Sequence, residues 1–135
     1  MFTLHEQLAR DCTIIGELPQ CKLLLMNDAN YPWCVLVPMR QNLREWYELD
    51  EADQQQLLAE TNALAKYLQE NTGARKMNIG ALGNMVPQLH VHVIARFEND
   101  AAWPAPVWGK LPAKPYDDAA LEKMRALLKH FIAGF

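Results

Sequence analysis

A chain of 135 residues with a formal charge of −3 has room for one hydrophobic core, burying roughly two-thirds of the surface that the unfolded form exposes. The acidic balance and the lack of a basic block exclude long-range gathering of a polyanion, so no stable nucleic-acid partner is expected; the longest apolar runs, LLLM and CVLVPM, fall far short of the roughly 20 residues of a membrane-crossing helix. Cys12, Cys21 and Cys34 have no paired spacing and MFTLHEQLARDC has no apolar signal core, which points to a reducing cytoplasm.

In chain order, residues 3–10 suit a short helical turn. ELPQCKLLLMN reads as a turn and a strand ending near Asn27, NDANYP as a cluster of turn formers, and WCVLVP as a second strand, so residues 21–38 predict a hairpin. ELDEADQQQLLAETNALAKYLQENTG carries the clearest helical period: Leu57, Thr61, Leu64 and Leu68 recur on one face, with Leu58 and Ala65 widening it. Asp50 suits its N-cap and Gly73 its stop.

ARKMNIGAL reads as a third strand, GNMVP as a turn and residues 88–97 as a fourth strand. Beyond residue 98 the proline content argues against regular structure until a final helix, capped by Asp117 or Asp118, runs through Leu121, Met124, Leu128 and Phe131. Antiparallel hairpins with one helix long enough to cover a sheet predict an α+β fold rather than a doubly wound parallel sheet.

The chemistry concentrates in QLHVHVIARF, residues 88–97. In a strand, Gln88, His90 and His92 share one face while Leu89, Val91 and Val93 share the other. Three readings meet that polar face. It could be solvated, as antiparallel strands often are on one side. Two imidazoles could hold a metal, although His5 and His130 lie near the chain ends and Glu98 falls past the strand. Or a neutral imidazole, whose unperturbed pKa is about 6.5, could attack phosphorus, with the second imidazole and the amide donating to oxygens as charge shifts.

QLHVHVI resembles the signature of the histidine triad (HIT) superfamily, in which three histidines alternate with apolar residues, with Gln88 in place of the first. NIGALGNMVP is similar to the family's asparagine- and glycine-rich approach to the triad, and LLLMNDANYPWCVLVP to its N-terminal hairpin. The resemblance spans roughly residues 20–97 and implies a single HIT-like domain over 1–135, an antiparallel sheet with one long covering helix and a C-terminal helix. Residues 98–135 form a proline-rich and helical extension to the motif region.

The resemblance implies a nucleotide hydrolase or nucleotidyl transferase acting through a nucleotidyl-histidine. His90 is then the nucleophile, its other ring nitrogen donating to a backbone carbonyl, and His92 the contact to phosphate or leaving group. Gln88 completes the catalytic set but cannot become cationic. Asn27, or Asp28 one residue on, corresponds to the ribose-binding position. Gly83 and Asn84 correspond to the phosphate approach, and Asn78 to a binding asparagine if one loop residue is missing.

Cys34 aligns with a hairpin histidine that approaches the first triad position in many members, and otherwise reads as a small buried hydrophobe. Trp103 and Trp108 read as core plugs, Arg96 and Lys110 as solvated or phosphate-assisting cations. The implied partners are a small-molecule nucleotide and a second copy of the chain in a homodimer. The covalent step requires no metal or organic cofactor. A binding or signalling protein with a degenerate triad is the alternative that Gln88 raises.

Overall fold

A computed structural model describes residues 1–135. Its elements are α1 (Glu6–Asp11), β1 (Cys12–Glu17), β2 (Cys21–Met26), β3 (Trp33–Pro38), a 3-10 turn (Trp46–Glu48), α2 (Glu51–Thr72), β4 (Lys76–Gly80), β5 (Val91–Arg96) and α3 (Asp118–Gly134). The strands form one antiparallel sheet in the order β1-β2-β3-β5-β4. This is the α+β arrangement expected, with β1 as an additional edge strand.

Capping chemistry sets the helix bounds. Asp50 accepts the N–H of Asp53 (2.8 Å) at the start of α2, satisfying a donor that has no partner within the helix. Gly73 ends it at φ 75°, a conformation that costs glycine little. Asp117, not Asp118, caps α3 through the Ala120 N–H (2.8 Å).

The buried positions of α2 are Leu57, Glu60, Thr61, Leu64 and Leu68; Leu58, read as part of that face, is 51% exposed. Glu60 breaks the apolar pattern yet is fully buried, because its carboxylate accepts the Gln20 and Cys21 N–H groups (2.9 Å each) and the Gln56 amide (2.7 Å). A buried carboxylate is tolerable when its lone pairs are filled in this way.

The two faces of the sheet carry separate clusters. Leu23, Leu25, Cys34, Leu36, Val91 and Val93 pack with α2 and α3. Leu24, Trp33, Val35, Val37 and Ile94 pack on the opposite side with Leu8, Ala102 and Val107. Both faces being covered explains why β3 and β5 are buried along their whole length and why β3 lacks a polar alternation. The proline-rich segment is therefore a structural layer laid over the second face.

Arg96 fastens that layer. The residue is 1% exposed, not solvated as its charge suggests. Its guanidinium binds Asp100 through two hydrogen bonds (2.8 and 3.1 Å), the Asn78 side-chain oxygen (2.8 Å) and the Ala105 carbonyl (2.8 Å). It also lies 5.6 Å from the Tyr31 ring centroid and 5.7 Å from that of Trp103, within cation–π range.

Candidate active site

Strand β5 begins at Val91, later than the sequence pattern suggests, so Gln88 and His90 precede the ladder. His90 and His92 are 6% and 5% exposed, and their ring centroids are 4.9 Å apart. His92 pairs with Val35 on one side and Gly80 on the other. The alternation of β5 puts it on the same face as Ile94, against the second cluster.

The two rings are held in complementary hydrogen-bonding states. His90 Nδ1 lies 2.7 Å from the Gln88 carbonyl oxygen, which can only accept, so Nδ1 carries the proton. In the neutral ring Nε2 then keeps its lone pair. His92 Nδ1 lies 2.9 Å from Trp33 Nε1, and an indole N–H can only donate, so the neutral His92 proton sits on Nε2. One Nε2 can attack and the other can donate.

Burial, followed by the electrostatic influence of the neighbouring His90, pushes the His92 pKa down to about 4. The surroundings are aromatic: Trp108 stands edge-on to His92 at 5.4 Å between centroids and to Trp33 at 6.3 Å. A Cβ added at Gly80 would sit 3.2 Å from the Trp108 ring, so the glycine gives the indole its close approach. Trp108 is thus a wall beside the His92 ring as well as a packing residue.

Gln88 is not left free to work beside the imidazoles. Its Oε1 accepts the His5 N–H (2.8 Å) and its Nε2 donates to the Thr3 carbonyl (2.9 Å). Both halves of the amide are spent on one backbone segment.

The hairpin alignment needs a correction of one residue. Cys34 faces the α2 side, fully buried, and burial pushes its thiol pKa up; Trp33 is the hairpin side chain that reaches the triad. The register Val35↔His92 and Cys34↔Val93 fixes this, since residues paired across a ladder share a face.

The remaining residues divide. Gly83, at φ 78°, lines a depression of about 10 Å³ with His90, Arg44 and Glu45, and Asn84 follows it, exposed, in the same turn. Asn78 belongs to the Arg96 network. Asn27 Oδ1 accepts the Tyr116 N–H (3.0 Å), and Asp28 Oδ1 accepts from Asn30 (3.0 and 2.8 Å) and from the Lys114 N–H (3.3 Å). These two secure residues 114–116 at the Trp33↔Ile94 end of the ladder, away from His90. No third histidine, cysteine, aspartate or glutamate joins His90 and His92 in a cluster suited to a metal ion.

A ladder of five antiparallel strands with paired imidazoles in complementary tautomers, entered through a glycine-rich turn, defines the class: histidine-triad folds. The HIT domain model matches residues 7–99, and the chain belongs to that family. It is similar to a histidine triad protein from Bradyrhizobium japonicum (46% identity, TM-score 0.95, covering 97% of this chain and 98% of that one). A histidine triad protein from Sinorhizobium meliloti 1021 is 50% identical (TM-score 0.93, 96% of each chain). One from Marinobacter aquaeolei VT8 is 48% identical (TM-score 0.97, 99% of this chain and 98% of that one). No curated protein matches. Membership supports a nucleotide-binding or hydrolase/transferase role, and no helix is long and apolar enough to cross a membrane.

Proposed function

We propose that the chain is a nucleotide hydrolase or nucleotidyl transferase in which His90 Nε2 attacks the phosphorus of a nucleotide and carries the nucleotidyl group. The observation supporting this most directly is the 2.7 Å contact between His90 Nδ1 and the Gln88 carbonyl. It leaves the nucleophilic lone pair on Nε2 without any base having to remove a proton. His92, with its proton on Nε2, donates to a phosphoryl oxygen as negative charge accumulates. The Gly83–Asn84 turn offers backbone and amide donors to the phosphates. Asn27, Asp28 and Asn78 hold the fold in this reading, because their side-chain oxygens already have partners.

Two copies of the chain would associate through β4. It is an edge strand of the sheet, and its own Ile79 and Leu82 just past its end are each 47% exposed; an edge with apolar side chains invites pairing.

The second reading, a nucleotide-binding protein without turnover, draws on Gln88, whose amide is committed to residues 3 and 5. Labelled adenosine polyphosphate, quenched in acid-free denaturant and probed for a phosphoramidate, separates the two. The wild type forms the adduct and His90→Ala loses it with on the order of a thousandfold loss of turnover. Full activity in His90→Ala, or a wild type that binds nucleotide but never labels, rejects the covalent route.

A further inference from the structure

The depression at His90 has room for about one water at most, so the rest of a substrate must lie elsewhere. The adjoining cavity has a construction that selects its contents. The Leu89 N–H donates to the Leu43 carbonyl (2.9 Å), which lays residues 43–45 alongside 88–90. The Gln88 amide ties the Thr3–His5 segment across the other side. About 440 Å³ opens between them, lined in part by Thr3, His5, Gln41, Asn42, Arg44 and Gln88, with no aspartate or glutamate in the lining.

Arg44 borders both this cavity and the His90 depression. Its backbone N–H binds Glu48, but its guanidinium forms no hydrogen bond or ion pair within the chain, unlike Arg40, Arg75, Arg96 and Arg125, which all have carboxylate partners. Of the nearby acids, Glu45 lines only the depression, and Glu48, whose carboxylate feels the Arg44 charge, lines neither space. An unpaired guanidinium at the junction of two adjoining spaces is placed to meet an anion that spans them.

His92 supplies a second constraint. Its Nδ1 accepts from Trp33, so protonation there would break a buried hydrogen bond. The ring serves as a neutral donor and is a poor source of a proton for a basic leaving group.

We propose that the cavity beside Gln88 is the leaving-group subsite, that Arg44 binds an anionic phosphate chain there, and that the enzyme therefore favours phosphate over amine leaving groups. The inference rests on the covalent reading of His90. In the first step the Nε2 lone pair forms the N–P bond while the P–O bond to the leaving phosphate breaks. The bond's electron pair goes to that oxygen, which departs as an anion without needing a proton. Water then forms a new P–O bond, losing a proton to solvent, as the N–P pair returns to His90. An amine would need a proton on its departing nitrogen, and neutral His92 supplies one reluctantly. Gln88 acts as a wall: an amide offers an acceptor and a donor side by side to one backbone segment, whereas the two nitrogens of an imidazole point apart.

Inorganic tripolyphosphate, a phosphate chain with no nucleoside, is the binding probe, titrated calorimetrically into wild type, Arg44→Gln and His90→Ala, with thermal unfolding confirming that each is folded. Binding weakens about tenfold or more in Arg44→Gln and stays within about twofold in His90→Ala. In parallel, the ratio of kcat/KM for diadenosine tetraphosphate to that for adenosine phosphoramidate, which share the transferred adenylyl group, falls about tenfold or more in Arg44→Gln. Tripolyphosphate that binds wild type and Arg44→Gln equally, or binds neither, overturns the subsite whatever the turnover. Arg44-dependent binding without turnover of either nucleotide keeps the anion site and removes the covalent reading. Turnover of both nucleotides at an unchanged ratio removes the leaving-group role and keeps the covalent reading.

Discussion

Trp33 is the residue whose importance no sequence pattern announces. It stands at the first position of β3, where an aromatic side chain ordinarily signals packing, and it does pack, edge-on to Tyr31 and tilted against His92. Its indole N–H adds a directional constraint: it makes His92 Nδ1 an acceptor. Trp33→Phe keeps most of the apolar area and deletes that donor. Two outcomes are expected. Nitrogen-15 NMR shows His92 as the Nε2–H tautomer in wild type and as a tautomer mixture in the variant, and kcat falls on the order of tenfold, comparable to losing a partner that orients a functional histidine. An unchanged His92 tautomer in Trp33→Phe would falsify the positioning role. The sequence could not reveal this contact, because a one-residue change in hairpin register moves every side chain to the opposite face and the motif alone put Cys34 at the place Trp33 occupies.

Elements with local causes were legible. Asp50, the Leu57 to Leu68 spacing and Gly73 mark α2 because caps and periodicity are properties of neighbouring residues. Strand β1 escaped for an equally local reason: a register shift between Ile14 and Gly16 interrupts its alternation, leaving Cys12 and Ile15 buried where a regular strand would bury every second residue. Glu60 and Arg96 were illegible because no local period marks what permits their burial: for Glu60 it lies far along the chain at Gln20 and Cys21, and for Arg96 it combines the distant Asn78 with Asp100 and Ala105 in the irregular stretch that follows the strand. The segment after β5 depends most on such a node. Arg96→Met leaves Asp100 buried without its cation, which costs about 3–5 kcal/mol for a pair this enclosed. Urea unfolding should register that loss. Proteolysis should cut first within residues 98–110, the segment carrying Trp108 over His92, and a variant as stable and as resistant as wild type would show that the node is not what holds the layer down.

At the scale of the whole molecule, two buried titratable groups give the fold separate sensitivities to acid. His92 is held neutral by burial down to about pH 4, whereas in the unfolded chain it binds a proton below its ordinary value near 6.5. Between those values the unfolded state carries more protons, so the stability that depends on a neutral His92 is present above pH 6.5 and is lost as pH falls toward 4, by roughly 3 kcal/mol in all. Asp100 behaves differently. Burial opposes its ionisation, but the Arg96 guanidinium and the N–H groups of Phe97, Trp103 and Ala102 outweigh burial and bring its pKa down to about 2. Its contribution is intact through the His92 window and disappears only as pH falls from the ordinary carboxylate value toward 2. Urea midpoints measured at pH 7, 5, 4 and 3 should therefore decline in two stages for the wild type. His92→Asn, which cannot titrate, should flatten the first stage and keep the second. A wild-type midpoint that does not move between pH 7 and 4, or a His92→Asn variant with the wild-type decline over that interval, would mean that the ring is not carried neutral through folding, and the assignment of a proton-donating Nε2 beside the His90 lone pair would lose its energetic basis.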